Sequence, residues 1–205
     1  LVIINDILDF SKIESGKMEL DESIFNLDVL LQRVALMMSV IVGEKPLTLV
    51  IHVDEQVPRK LKGDALRLQQ VLVNLISNAI KFTRFGCIIL RIDALISKSP
   101  EACRLHFSVI DSGIGMTKDQ QKSIFDAFTQ ADTSITRRFG GTGLGLIISN
   151  QIINLMGSEI IVNSEERKGS TFSFSVNLSL AGDEIPVLSL EKKYSVHTIT
   201  AYKND

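Results

Sequence analysis

Four glycines within six residues run directly into a segment with helical apolar periodicity, and this feature limits the fold of the chain more than any other. They lie in the stretch GGTGLGL at 140–146. Glycines allow the backbone to approach a ligand closely, and the amides that open the helix predicted over 143–156 would form an anion site without a cationic side chain. The stretch lacks the GKT or GKS of a Walker loop, and it does not follow a predicted strand as a dinucleotide fingerprint would. A flexible linker is the alternative, and the immediate start of the helix argues against it.

The rest of the chain alternates between helical and strand patterns. Helices are predicted over 1–16, 28–42, 64–83, 117–126 and 143–156, with Asp28, Asp64 and Thr117 at their starts, and strands over 24–27, 47–53, 87–96, 103–111, 159–164 and 170–179. Hairpins dominate the second half, which favours a mixed sheet with helices packed on one face. After Leu180 the chain is predicted to be an irregular linker.

The composition argues against several classes of function. A net charge of −2 gives no reason to expect nucleic acid or an anionic membrane as a partner, and no apolar run approaches the ~20 residues of a membrane span. Cys87 and Cys103 lack metal-binding spacing and are interpreted as reduced core residues in a reducing compartment. In the predicted hairpin Cys87 would pair near Ile110 and Cys103 near Ala94, too far apart for a disulfide. We therefore expect a cytoplasmic chain.

The helix predicted over 64–83 carries polar residues along the rim of its apolar face. Asn74, Asn78 and Lys81 fall within an arc of about 60° of one another. Amide oxygens are suitable ligands for Mg²⁺, and a lysine beside them suits a phosphate. Taken alone, this pattern favours an ordinary polar helix flank, so its meaning depends on the motifs that accompany it.

An aspartate ends the strand predicted over 103–111, and two glycines follow it in DSGIGM at 111–116. The glycines permit positive φ and a close approach to a flat ligand. The Asp111 carboxylate could accept a hydrogen bond from an exocyclic amine such as that of adenine, and Thr171 in GSTF could reach the same contact. A tight turn after a strand, and a strand residue without a role, are the alternatives.

Aromatic and basic residues precede the glycine stretch. Phe125 and Phe128 are three residues apart in FDAF and could anchor one end of a mobile loop, or could pack in the core. Arg137 and Arg138 lie inside that loop, either as solvated charges or as phosphate clamps that act when the loop closes.

The order and spacing of these motifs resemble the N, G1, F and G2 boxes of the catalytic domain of sensor histidine kinases. The stretches LVNLISNAIKFT and RRFGGTGLGLIIS are specific to that family within the wider gyrase, MutL and histidine kinase ATPase superfamily. The stretch INDILDFSKIESGKMEL is similar to the second helix of the kinase dimerisation domain and its exit, in a form typical of hybrid kinases with a receiver domain. The resemblance covers about residues 1–180.

This resemblance implies an α/β (α+β) two-layer sandwich of the Bergerat type, in which a mixed β-sheet is covered on one face by three helices and preceded by one dimerisation helix. Residues 1–20 would be the end of the second dimerisation helix and its connector, 21–180 the ATP-binding catalytic domain, and 181–205 a linker. Because the chain begins in mid-helix without a Met, we expect a fragment of a longer, homodimeric protein. Its partners would be its own dimerisation domain and a response-regulator receiver domain. Any membrane anchor would lie in parts of the parent protein outside this chain.

The resemblance also implies ATP and Mg²⁺ as ligands. Asp111 would bind the adenine amine, and Phe82, Ile114 and Met116 would flank the base and sugar. The residues expected to bind the nucleotide are Asn78, Lys81, Phe82, Asp111, Gly113, Ile114, Gly115, Met116, Phe128, Arg138, Gly141, Thr142, Gly143, Leu144, Gly145 and Thr171.

The expected catalytic residues are Asn74, Asn78 and Lys81. Asn78 would coordinate Mg²⁺ beside Asn74, and Lys81 would contact a phosphate. The amides of 141–145 would hold the β- and γ-phosphates under a lid at about 127–142. In the ATPases of the superfamily a Glu takes the place of Asn74 and activates water; because Asn cannot act as that base, fast hydrolysis is not expected.

The phosphate acceptor of the family is a histidine on the first dimerisation helix, followed by an acidic residue, and that helix is missing here. His52 and His106 lie in predicted strands and His197 lies in the tail, so none has the acceptor context. Two alternatives from other classes remain: a nucleotide-binding regulatory or interaction module without kinase activity, and a GHKL-type ATPase, which Asn74 disfavours.

Overall fold

A computed structural model describes residues 2–43, 45–95, 102–125, 143–181 and 194–200. Its helices are α1 (Val2–Glu14), α2 (Leu27–Val42), α3 (Ala65–Phe82), α4 (Lys118–Ser123) and α5 (Gly145–Leu155). Its strands are β1 (Ser23–Asn26), β2 (Leu47–Asp54), β3 (Lys60–Gly63), β4 (Gly86–Leu95), β5 (Ala102–Asp111), β6 (Ile161–Glu165), β7 (Gly169–Leu180) and β8 (Tyr194–Thr200).

The strands form one mixed sheet in the order β1-β3-β7-β5-β4-β2-β8, with β6 also paired to β7. β2 and β4 are parallel, and the other pairs are antiparallel. β6 pairs with residues 169–173 at the start of β7, whereas β3 pairs with residues 179–180 at its end. The mixed sheet predicted from the hairpin pattern is confirmed.

The core lies between one face of this sheet and the helices α2, α3 and α5, whose buried residues join those of the strands in a single cluster. Alternate residues of the central strands are buried, as expected when only one face of a sheet is covered. Phe107 of β5 and Phe174 of β7 stack there with ring centroids 5.1 Å apart. The predicted apolar face of α3 is confirmed, since all its members are buried: Leu68, Val71, Leu72, Leu75, Ile76 and Ala79.

Local capping explains where the helices begin. The side chain of Asp64 accepts a hydrogen bond from Arg67 N at the start of α3, and Thr117 and Gln120 form a capping box at α4, so both predicted starts are confirmed. The predicted cap Asp28 is wrong. Asn26 caps α2 by accepting from Val29 N, and Asp28 lies inside the first turn, where a carboxylate also interacts favourably with the helix dipole.

Two strands were missed by the sequence prediction. β3 spans only four residues, with buried Leu61 and Gly63 alternating with exposed lysines, and this is too short a pattern to recognise without its partner strand. The prediction of an irregular tail is wrong for 194–200, which form β8 and pair antiparallel with β2 from Thr48↔Thr200 to Asp54↔Tyr194.

The β4–β5 hairpin has a different register from the predicted one. Ile110 pairs with Ile89 and not with Cys87, and Ala94 pairs with Leu105 and not with Cys103. The observed register is therefore shifted by two residues from the predicted one. A slip of two residues leaves the same side chains on the core face, so alternation alone could not decide it. Both cysteines are free, and burial raises the pKa of the Cys103 thiol to about 11.

The first helix packs on the same cluster of helices. Phe10 and Ile13 contact the core from α1. Asp9 Oδ2 accepts hydrogen bonds from Arg67 NH1 at 3.0 Å and from Gln70 Nε2 at 2.9 Å, which joins α1 to the first half of α3. Among the described residues, no helix is both long enough and apolar enough to cross a membrane.

Candidate functional site

Two asparagines of α3 face the start of α5. Asn74 Nδ2 donates a hydrogen bond to Ser149 Oγ of α5 at 2.8 Å, and Asn78 Nδ2 donates to Asn74 Oδ1 at 3.4 Å. Both asparagines are half-buried. A Cβ added to Gly145, the first residue of α5, would lie 2.5 Å from Asn74 Oδ1. The glycine therefore lets the helix that follows the glycine stretch begin in direct contact with the predicted polar rim.

The start of α5 has no side-chain cap. Leu144 occupies the N-cap position without a capping hydrogen bond from its side chain, and Gly143 before it has a φ of 72°, which suits glycine. Oriented amides at such a helix start favour an anion. Phe128, Arg138, Gly141 and Thr142, and the predicted lid over 127–142 that contains Arg137, lie outside the described residues.

Lys81 lies one turn further along α3 than Asn78. Its side chain is half-buried, and burial lowers the pKa of its amine from the ordinary value. The Nζ atom lies 5.2 Å from the centre of the Phe82 ring, within the range of a cation–π contact. Lys81 and Phe82 thus lie together in the last turn of α3, one to two turns beyond the two asparagines.

At the C-terminal end of α3 a buried carboxylate is held by main-chain groups. Asp111 ends β5 and is 8% exposed, and Gly113 N donates to its Oδ1 at 2.8 Å. Burial raises the pKa of the Asp111 carboxyl, and hydrogen bonds from the backbone of Gly113 and Ser170 oppose that rise. Because main-chain contacts fix the carboxylate, its remaining lone pairs point in a fixed direction and can accept a hydrogen bond from a donor placed there.

Gly113 occupies a position that only glycine fits. A Cβ there would lie 2.6 Å from Phe82 O, 2.8 Å from Asp111 Oδ1 and 2.9 Å from Thr83 Oγ1. Thr83 is buried, and its Oγ1 has no hydrogen-bond partner in the described part of the chain. A buried hydroxyl without a partner is costly, so this atom is suited to a ligand or a water that arrives beside Asp111. Sequence reasoning missed Thr83, because a threonine after a helix is most simply a C-cap.

The segment after Gly113 is clamped between α3 and the β6–β7 turn. Ile114 N donates to Phe82 O at 3.3 Å, and Arg167 N donates to Ile114 O at 2.6 Å. Gly115 has a φ of 64°, and a Cβ there would overlap Glu165 O. The Ile114 side chain remains 48% exposed, whereas Met116 packs on the core. An apolar side chain is thereby presented beside Asp111.

Thr171 lies on the strand next to Asp111. It pairs with Ile110 of β5, and the following pair along the ladder is Asp111 with Ser170. Thr171 is half-buried. A Cβ on Gly169 would overlap Asp111 O, so the glycine of GSTF permits this close approach of the two strands. Among the described site residues, the structure brings the Asp111 loop and Thr171 to one end of α3, and Asn74, Asn78 and Gly145 to a point one to two turns back.

The three histidines lie in strands β2, β5 and β8. His106 is hydrogen-bonded through its ring nitrogens to Ser175 at 2.9 Å and to Ser108 at 3.1 Å. None of the three lies on a helix, in agreement with the sequence prediction that they lack the acceptor context.

Comparisons with known proteins identify close likenesses. Residues 63–180 match the family described as histidine kinase-, DNA gyrase B-, and HSP90-like ATPase. The chain is 48% identical over 184 residues to the sensor protein GacS of Pseudomonas syringae pv. syringae, which covers 90% of this chain and 20% of GacS. It is 44% identical over 183 residues to the signal transduction histidine-protein kinase BarA of Escherichia coli (strain K12), which covers 88% of this chain and 20% of BarA. This chain therefore spans about a fifth of the length of these relatives.

Solved structures show the same likeness. Full-length ShkA in complex with AMPPNP superposes with a TM-score of 0.74 at 32% identity, over 88% of this chain and 36% of that chain. The nucleotide-free catalytic domain of the histidine kinase ThkA gives a TM-score of 0.60 at 27% identity, over 78% of this chain and 95% of that chain.

Proposed function

Because this chain belongs to the histidine kinase-, DNA gyrase B- and HSP90-like ATPase family, as its motifs predicted, we propose that it is the ATP-binding catalytic portion of a hybrid sensor histidine kinase. It binds ATP with Mg²⁺ and transfers the γ-phosphoryl group to a histidine on a dimerisation domain. The phosphoryl group then passes to an aspartate of a response-regulator receiver domain.

The arrangement along α3 supports this proposal most directly. We call Phe82, Thr83, Asp111 and Gly113 the base end, and Asn74, Asn78, Gly145 and Ser149 the phosphate end. Asn74 and Phe82 are eight residues apart, which corresponds to about 12 Å along a helix at 1.5 Å per residue. A nucleoside triphosphate has a similar length. An acceptor for a purine amine, Asp111, thus lies beside the last turn of α3, and a helix start that suits an anion lies beside the amide side chains one to two turns back.

At the base end, Asp111 accepts the exocyclic amine of adenine, and Thr83 Oγ1 provides a second polar contact. Main-chain donors already hold the carboxylate, and Thr83 Oγ1 lies within 2.9 Å of the Cβ position of Gly113. An adenine base would supply the hydrogen-bond partner that Thr83 Oγ1 lacks among the described residues. Phe82, Ile114 and Met116 flank the base and sugar, and Gly115 and Thr171 border the same pocket.

At the phosphate end, Asn78 coordinates Mg²⁺, and Lys81 contacts a phosphate. Amide oxygens are hard ligands, and Mg²⁺ usually takes one or two protein ligands together with phosphate oxygens. Mg²⁺ held there would neutralise charge on the phosphates of the nucleotide. Gly143, Leu144 and Gly145, with Gly141 and Thr142 before them, supply backbone amides, while Phe128 and Arg138 belong to the lid.

The chemistry needed from this chain is mainly positioning and neutralisation of charge, which is what phosphoryl transfer requires. Asn74 stands where a hydrolytic enzyme would need a general base, and an amide cannot take a proton from water. The site therefore favours transfer to a histidine over hydrolysis.

The partners follow from the same proposal. Residues 1–20 are the end of the second dimerisation helix and its connector, and 21–180 are the catalytic domain, whose sheet is extended by β8 beside β2. The parent is a homodimer whose catalytic domain acts on its own dimerisation domain and signals to a receiver domain in the cytoplasm. Nucleic acid is not a partner, and any contact with a membrane is made by other parts of the parent.

The binding half of the proposal is tested by calorimetry with AMPPNP. A dissociation constant between about 1 mM and 1 μM is expected, or roughly −4 to −8 kcal/mol. Asp111→Ala should weaken binding at least tenfold, because it removes the acceptor at the base end. Asp119→Ala is the matched control, since this acid on α4 is exposed and lies outside the proposed pocket. Equal affinity in Asp111→Ala and the unmodified chain would refute the adenine contact.

The transfer half needs a second protein. Radiolabelled ATP is incubated with this chain alone and with a separate dimerisation domain that carries the acceptor helix. We expect acid-labile label on the added domain only, dependent on Mg²⁺ and lost in Asn78→Ala. Retained nucleotide binding without any transfer would support the alternative of a regulatory nucleotide-binding module, and rapid release of free phosphate would support the ATPase alternative.

A further inference from the structure

Ser149 is a buried hydroxyl on the core side of α5. It is 1% exposed and has the buried residues Ile148 and Ile152 near it on the same helix. Its Oγ accepts the hydrogen bond from Asn74 Nδ2 at 2.8 Å. A hydroxyl in an apolar setting is retained at a cost unless it is hydrogen-bonded. This contact directly links the side chains of α3 and α5 at the phosphate end.

The Ser149 contact holds the Asn74 side chain against α5. With Nδ2 donating to Ser149, Oδ1 of Asn74 lies beside Gly145 and accepts from Asn78 Nδ2. An amide has one donor end and one acceptor end. Because the donor end of Asn78 is directed to Asn74, the Oδ1 atom of Asn78 is left as its unused end, and it accepts no hydrogen bond from the described residues.

We propose that Ser149 is a positioning residue, which orients the Asn74 amide and through it presents the Asn78 oxygen to the Mg²⁺ of a bound nucleotide. The inference rests on the proposed function, because it concerns the same site. The order of contacts is Ser149 to Asn74 to Asn78: Ser149 anchors the Asn74 side chain, and the anchored Asn74 amide constrains the orientation of the Asn78 amide. Ser149 itself touches neither nucleotide nor metal.

Loss of the hydroxyl has a specific consequence. Without Ser149 Oγ, nothing in the described contacts keeps Nδ2 of Asn74 on the α5 side. If that amide rotates, its NH₂ group faces Asn78 and donates to the Asn78 oxygen, which then competes with the metal. The variant should bind nucleotide as well as before when Mg²⁺ is absent, and should lose only the part of the affinity that Mg²⁺ adds.

The test measures the dissociation constant of AMPPNP in EDTA and in excess Mg²⁺, and takes their ratio as the magnesium-dependent gain. Ser149→Ala should reduce this gain by about fivefold, the value for the net loss of one hydrogen bond. Ser149→Cys, which is nearly isosteric but a weak acceptor, should reduce it similarly. Ser149→Thr keeps the hydroxyl and should restore most of the gain. In the Asn78→Ala background, Ser149→Ala should have no further effect on the gain, because the two residues act in series.

The outcomes separate a positioning role from a structural one. A gain in Ser149→Cys equal to that of the unmodified chain overturns the proposal. So does a loss of affinity in Ser149→Ala that is equal in EDTA and in Mg²⁺, since that is the mark of a general packing defect. Additive losses in the double variant also overturn it. If the unmodified chain binds no nucleotide under either condition, the proposed function fails first, and this result is distinct from all of the others.

Discussion

The base end and the phosphate end of α3 are built from different kinds of contact. At the base end the groups are held by main-chain atoms: Gly113 N donates to Asp111, and the Gly113 Cα has no room for a side chain beside Phe82 O. At the phosphate end the contacts join side chains, and the link from Asn78 to Asn74 is 3.4 Å long. Main-chain contacts change only if a strand or helix moves, whereas amides can rotate. From this comparison we infer that the base end is formed in advance and that the phosphate end adjusts when a nucleotide binds.

The two ends also differ in how well their polar groups are satisfied in the free protein. The base end contains a buried carboxylate with a raised pKa and a hydroxyl without a partner. Both are unfavourable in the free protein as far as the described residues show, so the surrounding fold maintains the base end, and we expect a bound ligand to relieve this cost. At the phosphate end the Asn74 amide is hydrogen-bonded at both of its ends, and the Asn78 oxygen is left for a ligand.

The largest effect should come from a substitution that forces the base end apart. Gly115 and Gly157 have similar left-handed φ values, 64° and 75°, but only at Gly115 would a Cβ overlap a main-chain atom, Glu165 O. Both alanine variants bear about 1 kcal/mol of backbone strain, and Gly115→Ala should lose about 2 to 3 kcal/mol more from the collision. Urea unfolding measures this difference in the free energy of unfolding.

The same pair of variants should also differ in ligand binding. In Gly115→Ala the segment from Ile114 to Met116 must shift, so affinity for AMPPNP should fall by about a hundredfold, equivalent to about 2.7 kcal/mol. Gly157→Ala lies away from both ends and should bind within twofold of the unmodified chain. Equal stability and equal affinity in the two variants would show that the base end can adapt, which is contrary to the comparison.

Thr83→Val should have a smaller effect, which is neutral or favourable for stability and unfavourable for nucleotide affinity. Valine has nearly the same shape and removes the hydroxyl that lacks a partner in the described structure. The free protein should therefore be as stable as before or more stable by up to about 1 kcal/mol, while affinity for nucleotide falls about five- to tenfold. Thr48→Val provides the same chemical change on β2, which is separated from Asp111 by the intervening strand β4. A loss of stability without any loss of affinity would mean that the Thr83 hydroxyl serves the fold and not the ligand.

The raised pKa of Asp111, at the base end, predicts that the stability of the protein depends on pH. Burial raises this pKa above its ordinary value of 3.8, so the folded state holds the proton more tightly than the unfolded state. The contribution of Asp111 to stability therefore declines as the pH rises from about 4 through the raised value. Asp111→Asn is neutral throughout and should be more stable than the unmodified chain at pH 7, with the difference disappearing below pH 4. Denaturant unfolding at several pH values measures it, and parallel profiles would contradict the assignment.

Features that depend on neighbouring residues in the sequence could be predicted. The buried face of α3, its cap at Asp64 and the capping box at Thr117 follow from helical periodicity and local hydrogen bonds. The motifs also lie in segments that meet in the structure, since the segment after Asp111 contacts Phe82 and the start of α5 contacts Asn74.

Features that depend on distant partners could not be predicted. β3 and β8 are recognisable only through β7 and β2, with which they pair. The β4–β5 register could not be fixed because a two-residue slip preserves the alternation. Thr83 and Ser149 carry no signal in the sequence. Their meaning comes from Gly113 and Asn74, which lie 30 and 75 residues away along the chain.

The smallest effect should come from α1, which attaches on the side of the phosphate end. Asp9 is bound by Arg67 and Gln70, and these residues precede Asn74 on α3 by about two turns and one turn. The ion pair is part-buried, with side-chain exposures of 20% for Arg67 and 16% for Asp9. Asp9→Ala should weaken the docking of α1 by about 1 kcal/mol, near the upper limit for a surface ion pair. Asp9→Asn keeps an acceptor for both donors and should have less than half of this effect.

Hydrogen exchange can localise that change. In Asp9→Ala, amides of residues 2–14 should exchange about fivefold faster if docking protects them, which corresponds to the loss of about 1 kcal/mol. Protection of the base-end segment 111–116 should be unchanged, because main-chain contacts that do not involve α1 hold it. Glu14→Ala on the same helix is the control, since that side chain is exposed. Faster exchange at 111–116 in Asp9→Ala would show that the two ends of α3 are coupled through the helix, and the base end could then no longer be regarded as fixed independently of what binds at the other.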